Sequence, residues 1–549
     1  MLRVALGQFD AVVGDLAGNA EKMRQIYTKA VQSDVNLLVF PELAVCGYPP
    51  EDLLLKKHFL DDNRSTVEKL APDCPEATVI VGFAESHQGN CYNSAAVLQN
   101  GSIKRIYRKG RLLNFGVFDE RRYFQPGAEP VVINVAGLNV AVTVCFDIWD
   151  VEWLANFLKN AGRIQMIVNI SASPFHTGKI KTRERILSRC AKKFSCAVCY
   201  CNLVGGQDEI VFDGRSVFVD STGADIAKAR AFDEDLLIAD VSLAADGTVQ
   251  VKPMQPPPVQ PIDVVDEVYQ ALVLGTRDYT RKNGFKKALL GISGGIDSSV
   301  TAAIAVAALG AENVLGLTMP SKFNRPETIK DAQRLAKNLG IEFLTIPIEP
   351  ILEQFDKALN AAPGWDSKGV AYENLQARIR GGILMSLSNQ FGSLVLTTGN
   401  KSETAVGYAT LYGDTAGGFA VIKDVPKTLV YKLAEHINKI SGRQIIPADV
   451  ITRPPSAELR PGQKDSDTLP DYDLLDKILK GYVEEDKSPQ QLVESGLPQD
   501  IVHRVIRMVD RNEYKRRQSP PGVKITPKAF GKDRRLPITN RYNSCDDTV

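Results

Sequence analysis

Glu42, Lys109 and Cys145 are side chains that together could hydrolyse an amide without a histidine. Each lies just past an apolar, strand-like run: residues 37–41 before Glu42, 103–108 before Lys109 and 140–144 before Cys145. Strand ends are where distant side chains converge on one pocket. There a carboxylate can take a thiol proton, the thiolate can attack an amide carbon, and an ammonium can stabilise the tetrahedral anion and lower the thiol pKa. Read singly, the same residues are a surface Glu, a surface Lys and a small buried thiol. A Ser-His-Asp triad has no support: His58, His87, His176, His436 and His503 are scattered, and only His176 lies in a promising loop, where it shapes a pocket.

A second set lies further along. Residues 293–299 read Ser-Gly-Gly-Ile-Asp-Ser-Ser, between a strand-like run at 287–292 and an Ala-rich, helical run at 300–309. Two glycines let backbone approach an anion closely, and amides at a helix start point towards it. Asp297 can hold a magnesium ion, while Ser293, Ser298 and Ser299 offer hydroxyls to phosphate oxygens. The Gly-Lys-Ser/Thr ending of a Walker A loop is missing. The plain alternative is a Gly/Ser turn between two core elements.

The elements that must position these groups fall into two halves. Residues 253–262 hold prolines at a density that excludes helix and inner strand and favours a semi-rigid spacer. The expected division is therefore 1–252, a linker at 253–262, and 263–549. Upstream, strands are expected at 3–8, 36–40, 78–83, 92–98, 139–145, 165–170 and 197–202, with an amphipathic helix near 19–33, which suggests a layered α/β fold. Downstream, strands at 287–292, 314–319, 342–346 and 394–398 alternate with helices. That rhythm implies a doubly wound parallel sheet with ligands at its carboxyl ends. The stretch from Lys515 to Arg535 is basic, and reads either as a solvated tail or as a segment folding back towards a polyanionic ligand.

Composition narrows the classes. A chain of 549 residues exceeds one core, so two or three domains are expected. A formal net charge of +1 gives no field for nucleic acid or an anionic membrane. No apolar run approaches the roughly 20 residues that span a bilayer. The N-terminus enters a strand-like pattern directly, without a signal-peptide pattern. Nine cysteines are too sparse for a disulfide scaffold, so the expected location is a reducing cytoplasm. Cys196, Cys199 and Cys201 share one apolar strand-like run, and their mixed spacing puts them on opposite faces, unable to share a metal.

Several segments carry a resemblance. Pro41-Glu42-Leu43, Tyr107-Arg108-Lys109 and Cys145-Phe146-Asp147-Ile148-Trp149 resemble, in order and spacing, the catalytic segments of the nitrilase-type carbon–nitrogen hydrolases. That implies an αββα sandwich and an acyl-enzyme intermediate. The loop at 293–299 resembles the pyrophosphatase loop of the adenine nucleotide α-hydrolase-like enzymes, which cleave ATP between its α and β phosphates. Joined in this order, the halves resemble the glutamine-dependent NAD synthetase family along nearly the whole chain. Residues 373–380, 397–403, 412–418 and 453–459 resemble further active-site segments of that family.

The family resemblance implies site residues. Glu120 would be an accessory carboxylate, and Phe115, Ser173 and Lys179 would line a glutamine pocket. Gly291, Ile292, Ser293, Gly294, Gly295, Ile296, Asp297, Ser298, Ser299 and Thr398 would bind ATP. Asn374, Arg378, Glu403 and Lys515 would bind deamido-NAD, and Glu403 would share magnesium with Asp297. At least dimeric synthetase domains are implied. The sequence departs from the family at Leu112-Leu113-Asn114-Phe115, where Leu-Pro-Asn-Tyr is common; the proline's turn constraint and the tyrosine hydroxyl are lost. Other readings use part of the same residues: an amidotransferase acting on a purine nucleotide or aspartate, a hydrolase with a nucleotide-sensing domain, and an ammonia-only synthetase with a scaffold first domain.

Overall fold

A computed structural model of the chain describes residues 1–255, 263–542 and 544–545. Two compact units divide at Ile262 and Asp263. Most of the expected linker, 256–262, lies outside the described residues. Its first residue, Pro253, ends an edge strand, Val249–Pro253, where a missing N–H is tolerated.

The first unit stacks two sheets. One has seven strands in the order Val249–Pro253, Asp235–Leu243, Leu2–Gln8, Leu37–Val39, Thr78–His87, Asn90–Gln99, Ser102–Arg108. The other has six: Asp225–Lys228, Val217–Val219, Ala197–Asn202, Met166–Ser171, Leu138–Val144, Val131–Val135. Strand periodicity builds the layers, because alternate side chains face opposite ways. Leu2, Val4 and Leu6 share one core with Val140, Val142, Val144, Met166, Val168 and Ile170 between the sheets. Ala5, Leu38 and Phe40 face outward onto the helices Leu16–Val31 and Lys57–Leu70. Ala141, Ile167 and Val198 face Val151–Phe157 and Lys179–Phe194. The result is the expected αββα sandwich. Cys199 and Cys201 lie in the inter-sheet core and Cys196 in the outer one, all buried.

The second unit is built on a five-stranded parallel sheet in the order Glu342–Thr345, Val314–Thr318, Ala288–Gly291, Leu394–Thr397, Phe419–Ala420. The helices Glu349–Leu359 and Val370–Phe391 bury Leu352, Tyr372, Leu375 and Ile379 against Leu289, Leu317 and Val395. The helices Val264–Lys282, Ile296–Leu309 and Lys427–Ile440 pack against one another as a second layer. The chain progresses outward from Ala288–Gly291 through Val314–Thr318 to Glu342–Thr345, then returns to the other side with Leu394–Thr397. This makes a switch point between Ala288–Gly291 and Leu394–Thr397, the place where such sheets open a crevice at their carboxyl ends.

The basic C-terminal segment folds back onto its own unit. Arg516 donates to the Ala405 carbonyl at 2.6 Å, Lys524 pairs with Asp533 at 2.5 Å and Arg534 with Asp510 at 3.4 Å. It is not a solvated tail.

Candidate active sites

In the first unit the three strand-end residues meet. The turn carrying Glu42 presses on Gly82, where a Cβ would lie 2.3 Å from the Pro41 carbonyl oxygen. Lys109 directly follows Ser102–Arg108, and Cys145 opens the short 3-10 turn Cys145–Ile148 after Leu138–Val144. Cys145 is therefore just outside the strand expected to include it. Its φ of 45° is left-handed, a sharp bend for a residue with a Cβ.

Lys109 Nζ donates to Glu42 Oε1 at 2.8 Å and to Glu120 Oε1 at 2.7 Å, and all these side chains are within 3% of full burial. Glu42 also accepts from Asn93 Nδ2 at 2.7 Å and from the Ala172 amide at 2.7 Å. Glu120 accepts from the Leu113 amide at 2.9 Å and from Tyr48 Oη at 3.3 Å. Despite the cost of desolvating an ammonium, the charges of Glu120 and Glu42 hold Lys109 protonated, well above the ordinary lysine range.

Lys109 pulls the Cys145 thiol pKa down, as expected, yet the thiol is pushed up overall. Burial is the largest cause and the Glu42 carboxylate adds to it, so the opposing pull of Lys109 is outweighed. The resting site holds a neutral thiol beside a carboxylate that can take its proton as attack begins.

The other expected residues rim this centre. Phe115 is 60% exposed, edge-on to Phe146 and Phe118 at 5.9 and 6.0 Å between ring centroids. The Ser173 amide donates to Asn202 Oδ1 at 2.9 Å. Asn202 in turn donates to the Gly214 carbonyl at 3.0 Å, beside the buried Arg183–Asp213 pair at 2.8 Å. Lys179 Nζ donates to the Pro174 carbonyl at 2.7 Å and lies 5.8 Å from the Trp149 ring centre. Sequence reasoning missed Asn93 and the Arg183–Asp213–Asn202 support. Their only signal was polarity within apolar surroundings.

In the second unit the loop at 293–299 leaves the carboxyl end of Ala288–Gly291 and opens Ile296–Leu309. Gly294 has φ +83°, and a Cβ there would sit 2.0 Å from the Thr328 carbonyl oxygen, so no larger residue fits. Ile292 and Ile296 turn their side chains into the core and offer the loop backbone only. Ser298 and Ser299 hydroxyls donate to the Gly295 carbonyl at 3.0 and 2.8 Å, and Ser293 Oγ accepts from the Gly295 amide at 3.2 Å. Across the switch point, Thr398 and the helix Lys401–Val406 follow Leu394–Thr397.

Asp297 and Glu403 converge on one cation. The buried Lys427 ammonium bonds Asp297 Oδ2 and lies 3.5 Å from Glu403 Oε1, while Asn400 Nδ2 donates to Asp297 Oδ1 at 2.9 Å. Burial raises the Glu403 carboxyl to about 8; Lys427 opposes this, and Asp297 and Asp465 add to it. Two carboxylates aimed at one positive group are a donor pair suited to a hard cation whose remaining positions go to water and phosphate. Among the described residues no cluster of three or more His, Cys, Asp or Glu forms a metal cage. Lys427, absent from the sequence reading, comes from the start of a distant helix.

The remaining expected residues surround the loop at 409–414. Thr410 Oγ1 donates to Asn374 Oδ1 at 2.8 Å, Arg378 Nε to the Leu411 carbonyl at 3.2 Å, and Lys515 Nζ to the Gly407 and Ala409 carbonyls at 2.8 and 2.9 Å. Asp414 accepts from the Thr410 amide at 2.6 Å, and Ser456 Oγ donates to the Gln463 carbonyl at 2.6 Å. Asn374, Arg378 and Lys515 thus share one loop, and Glu403 stands with Asp297.

Two family models match successive parts of the chain. The carbon-nitrogen hydrolase family model matches residues 3–249 and the NAD synthase family model residues 268–519. The chain is 46% identical to the glutamine-dependent NAD(+) synthetase of Thermotoga maritima, over 98% of this chain and 99% of that one. It is 45% identical to that of Aquifex aeolicus, over 99% and 100%. The solved glutamine-dependent NAD+ synthetase of Acinetobacter baumannii, in complex with ADP, is 40% identical, covers 98% of each chain and superposes with a TM-score of 0.79. Likeness at this level runs through both units, and the chain belongs to the glutamine-dependent NAD(+) synthetase family.

Proposed function

We propose that this chain makes NAD from deamido-NAD, ATP and glutamine, releasing AMP, pyrophosphate and glutamate. In the first unit Glu42 takes the Cys145 proton as the sulfur attacks the glutamine amide carbon. Lys109, held by Glu42 and Glu120, stabilises the tetrahedral anion. Ammonia leaves with a proton returned by Glu42, and water then attacks the thioester to release glutamate. Phe115, Ser173 and Lys179 line the glutamine pocket.

In the second unit the nicotinate carboxylate of deamido-NAD attacks the α phosphorus of ATP, expelling pyrophosphate. Ammonia then attacks the adenylated carboxyl carbon and AMP leaves. The loop at 291–299 and Thr398 hold ATP. Asn374, Arg378, Glu403 and Lys515 hold deamido-NAD. Asp297 and Glu403 would hold a magnesium ion, which would supply positive charge against the pyrophosphate leaving group. The observation that carries the reading is the buried Cys145, Glu42, Lys109 and Glu120 cluster in the same chain as a Gly-rich loop whose Asp297 converges with Glu403 on one cation.

The synthetase units pair at least as dimers; exposed Val370, Met385 and Phe391 along Val370–Phe391 support this. No helix among the described residues is long and apolar enough to cross a membrane. Among the described residues no cysteine forms a disulfide, in keeping with a reducing cytoplasm. The test is NAD formation from deamido-NAD and ATP-magnesium, with glutamine or ammonium, for wild type and Cys145→Ala. Wild type uses both donors and the variant only ammonium. Equal loss of both would overturn the assignment of separate sites, and no NAD with either donor would overturn the acceptor.

A further inference from the structure

We propose that Asp147 is a positioning residue that sets the Lys109 ammonium against the Cys145 thiol by clamping the two chain segments that carry them. The inference rests on the roles of Cys145 and Lys109 given above. Asp147 is fully buried, and its carboxylate takes four hydrogen bonds from neutral donors. Oδ1 accepts from the Gly110 and Arg111 amides at 3.1 and 2.8 Å. Oδ2 accepts from Tyr107 Oη at 2.8 Å and from the Val144 amide at 2.9 Å.

The placement of these donors carries the argument. Tyr107, Gly110 and Arg111 flank Lys109 on both sides, and Val144 directly precedes Cys145. Lys109 follows a strand of the seven-stranded sheet, and Cys145 follows a strand of the six-stranded one. Between the sheets lies an apolar core, whose attraction is non-directional and does not by itself fix sideways register. A carboxylate with four directed bonds does fix it. The bond to Val144 also closes the turn that keeps Cys145 at its left-handed φ of 45°. Burial lifts the Asp147 carboxyl to about 6, with the Val144 amide the first of several groups pulling it down. Four neutral donors fix its position, while the nearby Lys109 charge also favours its ionised form. All four partners lie on the scaffold, so Asp147 acts through them and takes no part in proton transfer.

The test compares the full chain carrying Asp147→Asn or Tyr107→Phe with wild type, measuring glutamate release from glutamine and ammonium-driven NAD formation. Asn places an NH2 group among donors. Its kcat with glutamine falls about 100-fold, the scale of a reacting group misplaced by an ångström. KM for glutamine stays within about threefold, because the pocket residues are untouched. Tyr107→Phe removes one bond and lowers kcat about fivefold in the same pattern. Ammonium-driven synthesis is retained in both. Wild-type kcat in Tyr107→Phe, a loss residing in KM, or an equal loss of the ammonium-driven rate overturns the clamp. If Asp147→Asn does not fold, Tyr107→Phe decides alone. Glutamine use that survives Cys145→Ala would instead overturn the underlying site.

Discussion

Replacing Lys109 with methionine keeps the side chain's approximate length and removes its charge from a site sealed from solvent. The ammonium lies 2.8 Å from Glu42 and 2.7 Å from Glu120, with all three side chains buried. Taking one partner out of a buried ion pair costs about 3–5 kcal/mol, because the charge left behind is uncompensated. Here two carboxylates would be left facing each other. Burial already holds the Glu120 carboxyl above its ordinary range, and Lys109 is the largest opposing influence. Lys109→Met therefore drives Glu120 higher. An acid whose folded pKa is raised favours the folded state below that pKa and disfavours it above, so the variant's deficit is smallest in acid and grows with pH. Catalytically, loss of a preorganised charge at the developing oxyanion costs about 10²–10³ in kcat. Glutamate release measures the second effect. Denaturant midpoints at about pH 5.5 and about pH 8.5, followed by fluorescence of Trp149 and Trp153, measure the first. A kcat within about threefold of wild type refutes the electrostatic role, and a deficit that ignores pH refutes the buried-charge argument.

Asp297→Ala removes one of the two carboxylates that converge on Lys427, and synthesis with either donor should fall at least about a thousandfold, measured as AMP release dependent on deamido-NAD. Retained ammonium activity would sink the metal assignment. At Phe115 the ring touches Phe146 and Phe118 from an exposed position, so packing is its expected contribution to the proposed glutamine pocket. Phe115→Ala should raise the glutamine KM about fivefold, while Phe115→Tyr leaves it within about threefold. A tyrosine that lowers KM by more than about tenfold would show that the missing hydroxyl matters.

Much of the first unit was legible because its strands follow simple periodicity. Val140, Val142 and Val144 alternate inward, which leaves the next residue, Cys145, at a strand end beside a turn. Glu42 and Lys109 were found by the same pattern. What the sequence could not show is which charges lose their water. Whether a thiol ends below its ordinary pKa depends on the balance of a lysine's attraction, the repulsion of Glu42 and the burial of the sulfur, and here the last two win. Long-range partners were equally hidden: Lys427 reaches Asp297 across 130 residues and Asp147 reaches Tyr107 across 40. The basic C-terminal stretch illustrates the same limit. Its charges read as solvated or anion-seeking, but Lys515 and Arg516 cap carbonyls around the end of Lys401–Val406, where helix ends leave acceptors unsatisfied.

Both units place a buried lysine between two carboxylates, yet the two arrangements suit different chemistry. Lys109 lies within 2.8 Å of both its partners, and all three are sealed from solvent. Its charge is fixed, as an oxyanion stabiliser requires, since reorganisation during reaction would erode the benefit. Lys427 is unevenly placed, bonded to Asp297 but 3.5 Å from Glu403, and both carboxylates are 18% exposed. A third carboxylate, Asp465, adds negative charge, and the Glu403 carboxyl still stands at about 8 with the ammonium present. One monovalent group thus does not keep Glu403 ionised at neutral pH, because burial outweighs its pull. A divalent ion shared with a nucleotide would favour the ionised carboxylate more strongly, and the partial exposure would give it a way in. The closed site suits an ammonium that never leaves, and the open one a cation that arrives with its substrate.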